Sequence, residues 1–159
     1  MTSLLAVIRH GPTEWNELGK IQGRTDIPLS EEGKCVIQQL QLPDFFSGID
    51  WITSPLSRAI ETGKLLGITE MLIDNRLIET NWGDWEGQVL QDLRIKYGQE
   101  MLENEKKGLD LSPPGGESPR QVCQRLQPLL SDIATSDKQK LIGAITHKGV
   151  IRSLLSLCL

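Results

Sequence analysis

Short apolar runs alternate with helical patterns along this chain. Four runs have the length and composition of buried strands: residues 4–8, 49–52, 71–73 and 141–146. Between them, apolar residues spaced three and four positions apart predict amphipathic helices. Strands that alternate with helices are typical of a parallel sheet. The pattern therefore predicts an α/β fold, a three-layer sandwich with a mostly parallel central sheet and helices on both faces.

Capping and breaking residues sharpen the predicted helix boundaries. Ser30 and Ser118 have the side chains of N-caps and precede helical patterns. Gly98 predicts a break within the helix expected over residues 88–107. Pro128 lies inside the helical pattern that follows Ser118, so it predicts a kink or a break there.

Charged and polar side chains stand where predicted strands end. Arg9 and His10 end the first run, and Gly11 lets the backbone approach a ligand closely. His147 ends the last run, and Arg58 lies near another strand-to-helix junction. Ligands of open α/β sheets bind outside the carboxyl ends of the strands, so these side chains could share one site. The alternative is that the two histidines are polar loop residues and the arginine is a solvated surface residue.

Composition narrows the functional classes. A chain of 159 residues suits one domain, and a net charge of −4 without a basic block argues against nucleic-acid binding. No signal peptide precedes the first predicted strand, and no apolar run has bilayer length, which predicts no membrane partner. The cysteines are widely separated, which is typical of the reduced cytoplasm. They are Cys35, Cys123 and Cys158.

Six short motifs extend over nearly the whole chain. They are Arg9-His10-Gly11 with Asn16; Gln22-Gly23 with Asp26-x-Pro28-Leu29-Ser30-x-x-Gly33; Ser54-Pro55-Leu56-x-Arg58-Ala59-x-Glu61-Thr62; Glu79-x-x-x-Gly83-x-Trp85-Glu86-Gly87; Pro114-Gly115-Gly116-Glu117-Ser118; and Thr146-His147. In this order they resemble the histidine phosphatase superfamily, which includes the cofactor-dependent phosphoglycerate mutases. Arg-His-Gly alone is weak evidence, whereas six motifs in order are strong evidence. The resemblance implies a phosphoglycerate mutase-like fold and an enzyme.

The resemblance assigns the phosphoryl-transfer roles to four basic residues. It implies that His10 is the nucleophile and becomes transiently phosphorylated. Arg9 and Arg58 would clamp the phosphoryl oxygens, and their charges would keep the His10 imidazole neutral. His147 matches the family's second histidine, which donates to the phosphoryl group.

The remaining family positions lie on the substrate side. Glu79 matches the general acid, which protonates the leaving alkoxide and then activates water, and its pKa should be raised. Asn16, Gln22 and the backbone of Gly23 match substrate-binding positions. Lys148 stands where many members have glycine, and its backbone N–H or its charge could still serve the phosphate.

The short stretch between the Glu79 motif and the second histidine resembles the phosphatase branch of the family. It implies a metal-independent phosphomonoesterase, without a cofactor, acting on a small metabolite such as α-ribazole phosphate or a sugar phosphate. Three alternatives stay open: a phosphoglycerate mutase, a non-catalytic domain that binds phosphorylated ligands, and a metal-dependent hydrolase built on His10 and His147. The last has a poor ligand spacing.

The resemblance covers residues 1–159 as a single domain, although family members commonly carry more chain after the second histidine. The last predicted helix is apolar on several sides and looks as if more protein should cover it. A homodimer is one way to cover it.

Overall fold

The computed structural model describes residues 3–135 and 141–158. Within these ranges the predicted strands form one sheet in the order β1-β4-β2-β3, and every neighbouring pair is parallel. The strands are β1 (Leu4–Arg9), β2 (Asp50–Thr53), β3 (Leu72–Ile73) and β4 (Leu141–Thr146). The parallel α/β sheet predicted from the sequence is therefore confirmed.

Helices fill the connections, as crossovers between parallel strands require. They are α1 (Glu14–Glu17), α2 (Glu31–Gln38), α3 (Ser57–Leu65), α4 (Leu90–Glu105), α5 (Pro119–Ala134) and α6 (Lys148–Cys158). The described ranges contain no helix with the length and apolar character that crossing a membrane would require.

Successive residues of β4 face opposite layers of the core. Ala144 packs in a cluster with Val122 of α5 and Val150 of α6. Ile145, the next residue, packs in a second cluster with Ala59 of α3. Because side chains alternate across a strand, these two clusters cover the two faces of the sheet. This arrangement is the three-layer sandwich that the sequence predicts.

Strand register brings the two histidines to the same edge. Arg9, the last residue of β1, pairs with Thr146, the last residue of β4. His10 and His147 follow directly, and the His10 backbone N–H donates to the Thr146 carbonyl at 2.9 Å. Both imidazoles therefore leave the sheet at its carboxyl end, side by side.

Most of the predicted helix boundaries hold, with one correction. Ser30 and Ser118 accept backbone hydrogen bonds as N-caps, and Gly98 has φ of +49° at a kink inside α4. Of the kink or break predicted at Pro128, the break does not occur, because α5 runs continuously through this residue. Pro128 lies on the exposed side of α5, while the opposite side packs in the core, and this packing offsets the lost backbone hydrogen bond.

Gly143 provides a test of the sheet packing. It pairs with Trp51 across β4 and β2, and a Cβ atom on Gly143 would lie 2.2 Å from the indole Cε3. We predict that Gly143→Ala lowers the free energy of unfolding by about 1–3 kcal/mol, measured by urea denaturation. The loss should shrink in a Trp51→Leu background, since the smaller side chain relieves the overlap. An equal loss in both backgrounds would contradict this packing.

Candidate active site

A cavity of about 300 Å³ opens beyond the carboxyl ends of β1 and β4. Its lining includes six of the nine side chains or backbone positions that the sequence singles out: Arg9, His10, Asn16, Gln22, Glu79 and Lys148. The other three are buried and outside the lining: Gly23, Arg58 and His147. The predicted site residues come from distant parts of the chain, and the fold thus brings them together at one cavity.

His10 has its ring nitrogens in distinct roles. Nδ1 lies 2.7 Å from the Gly11 carbonyl oxygen, which can only accept, so Nδ1 carries the proton. The lone pair is therefore on Nε2. Burial lowers the pKa of His10 from 6.5 to about 3; the Gly11 hydrogen bond opposes this shift, and the charges of Arg58 and Arg9 reinforce it. Near neutral pH the ring is a neutral nucleophile.

His147 lies behind His10, with the two ring centroids 5.0 Å apart. It is fully buried, and burial followed by the charge of Arg58 lowers its pKa. Its Nε2 is 2.7 Å from the Ser54 hydroxyl, which also accepts the Leu56 N–H. The Ser54 hydroxyl can donate to Nε2, and in that tautomer the ring proton is on Nδ1. Nδ1 has no hydrogen-bond partner within the described residues.

Arg58 has no solvent-exposed surface, which is exceptional for a guanidinium. It stands in the first turn of α3 and donates to the Gly23 carbonyl at 2.7 Å and the Thr25 carbonyl at 3.1 Å. Its Nε is without a partner among the residues described. Gly23 therefore contacts the site through Arg58, because its carbonyl orients the guanidinium.

Asn16 and Gln22 form a pair of amides at the side of the cavity. The Gln22 Oε1 accepts from Asn16 Nδ2 at 3.2 Å and from the Thr13 hydroxyl at 3.1 Å. These bonds fix which end of the Gln22 amide is the oxygen. Its buried Nε2 donor has no partner in the described part of the chain, so it is available to an oxygen of a ligand.

Glu79 is buried against the beginning of α6. One carboxylate oxygen accepts the Thr80 N–H at 2.7 Å, and the other accepts the Gly149 N–H at 3.3 Å. Burial raises the pKa of Glu79, although these bonds and the charge of Arg58 oppose the shift. A Cβ atom at position 149 would lie 2.4 Å from a Glu79 oxygen, so the close approach requires glycine. Sequence reasoning missed Gly149.

A half-buried ion pair holds the Glu79 loop on the side away from the cavity. Arg125 of α5 donates to Glu117 at 2.8 Å and to the Ile78 carbonyl at 2.6 Å. Glu117 in turn accepts the Asn81 N–H at 3.1 Å. The loop is thus fixed one residue before Glu79 and two residues after it. The motif containing Glu117 was recognised in the sequence without a role, and Arg125 was missed.

Glu86 ties the Gln22-Gly23 loop to the Glu79 loop. Its carboxylate accepts the backbone N–H groups of Arg24 and Thr25, both at 2.8 Å, and that of Trp82 at 3.3 Å. Burial opposes ionisation of Glu86, but these bonds prevail and its pKa is lowered. The carbonyl groups that hold Arg58 are therefore fixed by a charged residue of the opposite loop.

The two tryptophans of the Glu79 motif have different positions. Trp85 is buried with Leu93 and Met101, whereas Trp82 stacks against Trp85 and lines the cavity. For metals, the described ranges hold no group of three or more histidine, cysteine, aspartate or glutamate side chains arranged to bind an ion.

Comparison with known proteins gives one family for almost the whole chain. Residues 5–159 match the family model of the histidine phosphatase superfamily, branch 1. Phosphoglycerate mutase-like protein 4 of Arabidopsis thaliana is 34% identical over 160 aligned positions, which cover 94% of this chain and 68% of the relative.

Other relatives carry names of two activities. The 2,3-bisphosphoglycerate-dependent phosphoglycerate mutase of Parvibaculum lavamentivorans is 32% identical, with 80% of this chain and 65% of the relative covered. The crystal structure of the alpha-ribazole phosphatase of Shigella flexneri superimposes with a TM-score of 0.84 and 27% identity, covering 96% of this chain and 78% of that one. The chain spans about two thirds of the length of these curated sequence relatives.

The lowered pKa values of the two histidines can be measured directly. We predict that neither ring takes up a proton between about pH 7.5 and about pH 4.5, as followed by ¹⁵N NMR of the imidazoles. His10 should show the tautomer protonated at Nδ1. A midpoint near 6.5 for either ring would contradict the buried, cation-flanked site.

The same shift has a consequence for stability. Between pH 6.5 and about pH 3, the unfolded chain protonates His10 while the folded chain does not. The contribution of His10 to the free energy of unfolding is therefore present in full above pH 6.5. It is lost progressively as the pH falls from 6.5 to about 3.

Proposed function

The chain belongs to the histidine phosphatase superfamily, and from this membership and the site geometry we propose that it is a metal-independent phosphomonoesterase. The observation that carries the proposal is that the cavity holds both a proton-free nucleophilic nitrogen and a carboxyl group with a raised pKa. His10 is neutral with its Nε2 lone pair free, whereas Glu79, across the same cavity, has a raised pKa and can hold a proton. A nucleophile and an acid of this kind are what phosphoester cleavage requires.

In the first proposed step, Nε2 of His10 attacks the phosphorus atom in line with the ester oxygen. The N–P bond forms as the O–P bond breaks, and Glu79 delivers its proton to the leaving alkoxide. The phosphoryl oxygens gain negative charge that Arg9 and Arg58 stabilise. Neutral donors assist: the Nδ1–H of His147 and the Nε2 amide of Gln22, both without protein partners in the described chain.

In the second step, Glu79 is ionised and can take a proton from water. The hydroxide attacks phosphorus, the N–P bond breaks, and inorganic phosphate leaves. His10 returns to its neutral form and Glu79 to its protonated form, so the cycle is complete. Glu79 therefore acts as acid in one step and as base in the next.

The physiological substrate we propose is a small phosphorylated metabolite such as α-ribazole phosphate or a sugar phosphate. The cavity of about 300 Å³ suits a ligand of this size, and the superimposable alpha-ribazole phosphatase supports this class. The second candidate is a phosphoglycerate mutase, which the name of the Parvibaculum relative favours. The two differ in whether water or a second alcohol accepts the phosphoryl group.

We also propose that the enzyme works in the reducing cytoplasm. The supporting observation is that all three cysteines, Cys35, Cys123 and Cys158, are free thiols.

Replacement of the nucleophile tests the proposed route. We predict that the native chain releases phosphate from an aryl phosphate in excess chelator, and that His10→Ala lowers this rate at least a thousandfold. A folded variant with near-native turnover would rule out the phosphohistidine route. Loss of native activity in chelator, restored by a divalent metal, would instead favour a metal-dependent hydrolase. Interconversion of 3- and 2-phosphoglycerate without phosphate release would favour the mutase.

The ion pair behind Glu79 gives a second prediction. Arg125→Met should lower kcat about tenfold with little change in KM, because Arg125 positions the acid and does not line the cavity. Without Arg125, Glu79 would be less buried and its pKa would be lower. The alkaline limb of the pH–rate profile should therefore move to lower pH.

Arg120→Met is the matched control. Arg120 stands on the same helix but is exposed, and within the described residues its salt bridge is with Asp110, so its removal should change neither kcat nor the pH limb. An Arg125→Met enzyme that is folded, slower and unshifted in its pH profile would show that the pair does not tune Glu79.

A further inference from the structure

Three basic side chains line the cavity but have no role in the proposed phosphoryl transfer. They are Lys20, Lys148 and Arg152. Arg9 and Arg58 are sufficient to match the two negative charges of a phosphoryl group, so these three cations are in excess. Their concentration at one cavity is notable in a chain whose net charge is −4.

No carboxylate of the cavity balances this charge. None of the three cations forms a salt bridge with an acidic side chain of residues 3–135 or 141–158. The one carboxyl group in the lining is Glu79, whose pKa is raised by burial, and the proposed mechanism needs it protonated when substrate binds. The excess positive charge is therefore available to a ligand.

Two of the cations are placed to act together. Lys148 and Arg152 are four residues apart on α6, so they lie one above the other on the same side of the helix. Lys20 comes from a different part of the chain, and its ammonium group is 5.9 Å from the centroid of the Trp15 ring. Ile21, Trp82 and Leu90 add apolar surface to the lining, which suits the carbon skeleton of a ligand.

We propose that Lys148, Arg152 and Lys20 form a second anion subsite, which binds a carboxylate or a second phosphate on the alcohol side of the substrate. The preferred substrates would then be phosphomonoesters whose leaving group is itself anionic. This inference rests on the proposed phosphatase function, and among small phosphorylated metabolites it favours those with a second anionic group over esters of uncharged alcohols such as α-ribazole phosphate. Lys148, where many relatives have glycine, becomes a residue that determines specificity.

Matched substrates test the subsite. 3-Phosphoglycerate and glycerol 3-phosphate share a three-carbon skeleton and differ by a carboxylate in place of a hydroxymethyl group, and glycerol 1,3-bisphosphate carries a phosphate there. We expect kcat/KM for phosphate release to be at least tenfold higher for an anionic substrate than for glycerol 3-phosphate. Whichever of the carboxylate and the phosphate gives the larger ratio identifies the anion that the subsite binds.

Removal of a single charge provides the decisive comparison. Lys148→Met keeps an unbranched side chain and should lower the anionic-to-neutral ratio of kcat/KM severalfold, mainly through KM for the anionic substrate. Lys106→Met, at an exposed position at the end of α4, changes the net charge equally and should leave the ratio as in the native enzyme. A ratio near one in the native enzyme, or one that Lys148→Met does not lower, would overturn the subsite.

Failure of the subsite and failure of the phosphatase function give different results. Phosphate release that depends on His10 but ignores the second anion contradicts only the subsite. If no ester is hydrolysed, the phosphatase proposal fails, and calorimetric binding to the His10→Ala chain then decides the subsite. In that calorimetric experiment, the affinity of the His10→Ala chain for 3-phosphoglycerate must exceed its affinity for glycerol 3-phosphate. The affinity for 3-phosphoglycerate must also fall in the His10→Ala, Lys148→Met double variant. If either condition fails, the subsite is excluded.

Discussion

The site is organised around the buried guanidinium of Arg58. A cation without exposed surface has a large desolvation cost, which the protein offsets with oriented oxygens. The carbonyls of Gly23 and Thr25 accept from it, and Glu86 fixes the loop that carries them. The positive charge held in this way lies among two histidines and one carboxyl group, and it acts on all three.

Burial and this charge together give each titratable group its role. Both act in the same direction on His10 and His147, so the rings stay neutral near pH 7. On Glu79 they oppose each other, and burial prevails, so the acid keeps its proton at higher pH. Burial in one pocket therefore favours the uncharged form of both the base and the acid, as in-line phosphoryl transfer followed by hydrolysis would need. In the proposed mechanism, a substrate dianion then meets Arg9 and Arg58 at a cavity whose lining carboxyl group, Glu79, holds a proton.

The sequence predicted the strands and the convergence of their ends because both follow from local pattern and from the topology of parallel sheets. His10 and His147 meet because β1 and β4 are neighbours in register, although 136 residues separate them. The two positioning elements, Arg125 and Gly149, were missed, because their partners are distant in sequence. The spacing of apolar residues in α5 predicts a helix but does not predict which loop Arg125 contacts. The helix break expected at Pro128 does not occur for a related reason, since the tertiary packing of α5 outweighs the local effect of proline.

The proposed mechanism depends on a covalent bond between phosphorus and His10 Nε2. It is tested most directly by mixing the chain with an aryl phosphate, quenching rapidly under alkaline conditions and mapping the modified residue by mass spectrometry. We expect one added PO₃ group, found on His10 alone, that forms before the steady state and disappears when substrate is exhausted. Turnover without any phosphorylated histidine, or phosphorylation at His147 in place of His10, would contradict it.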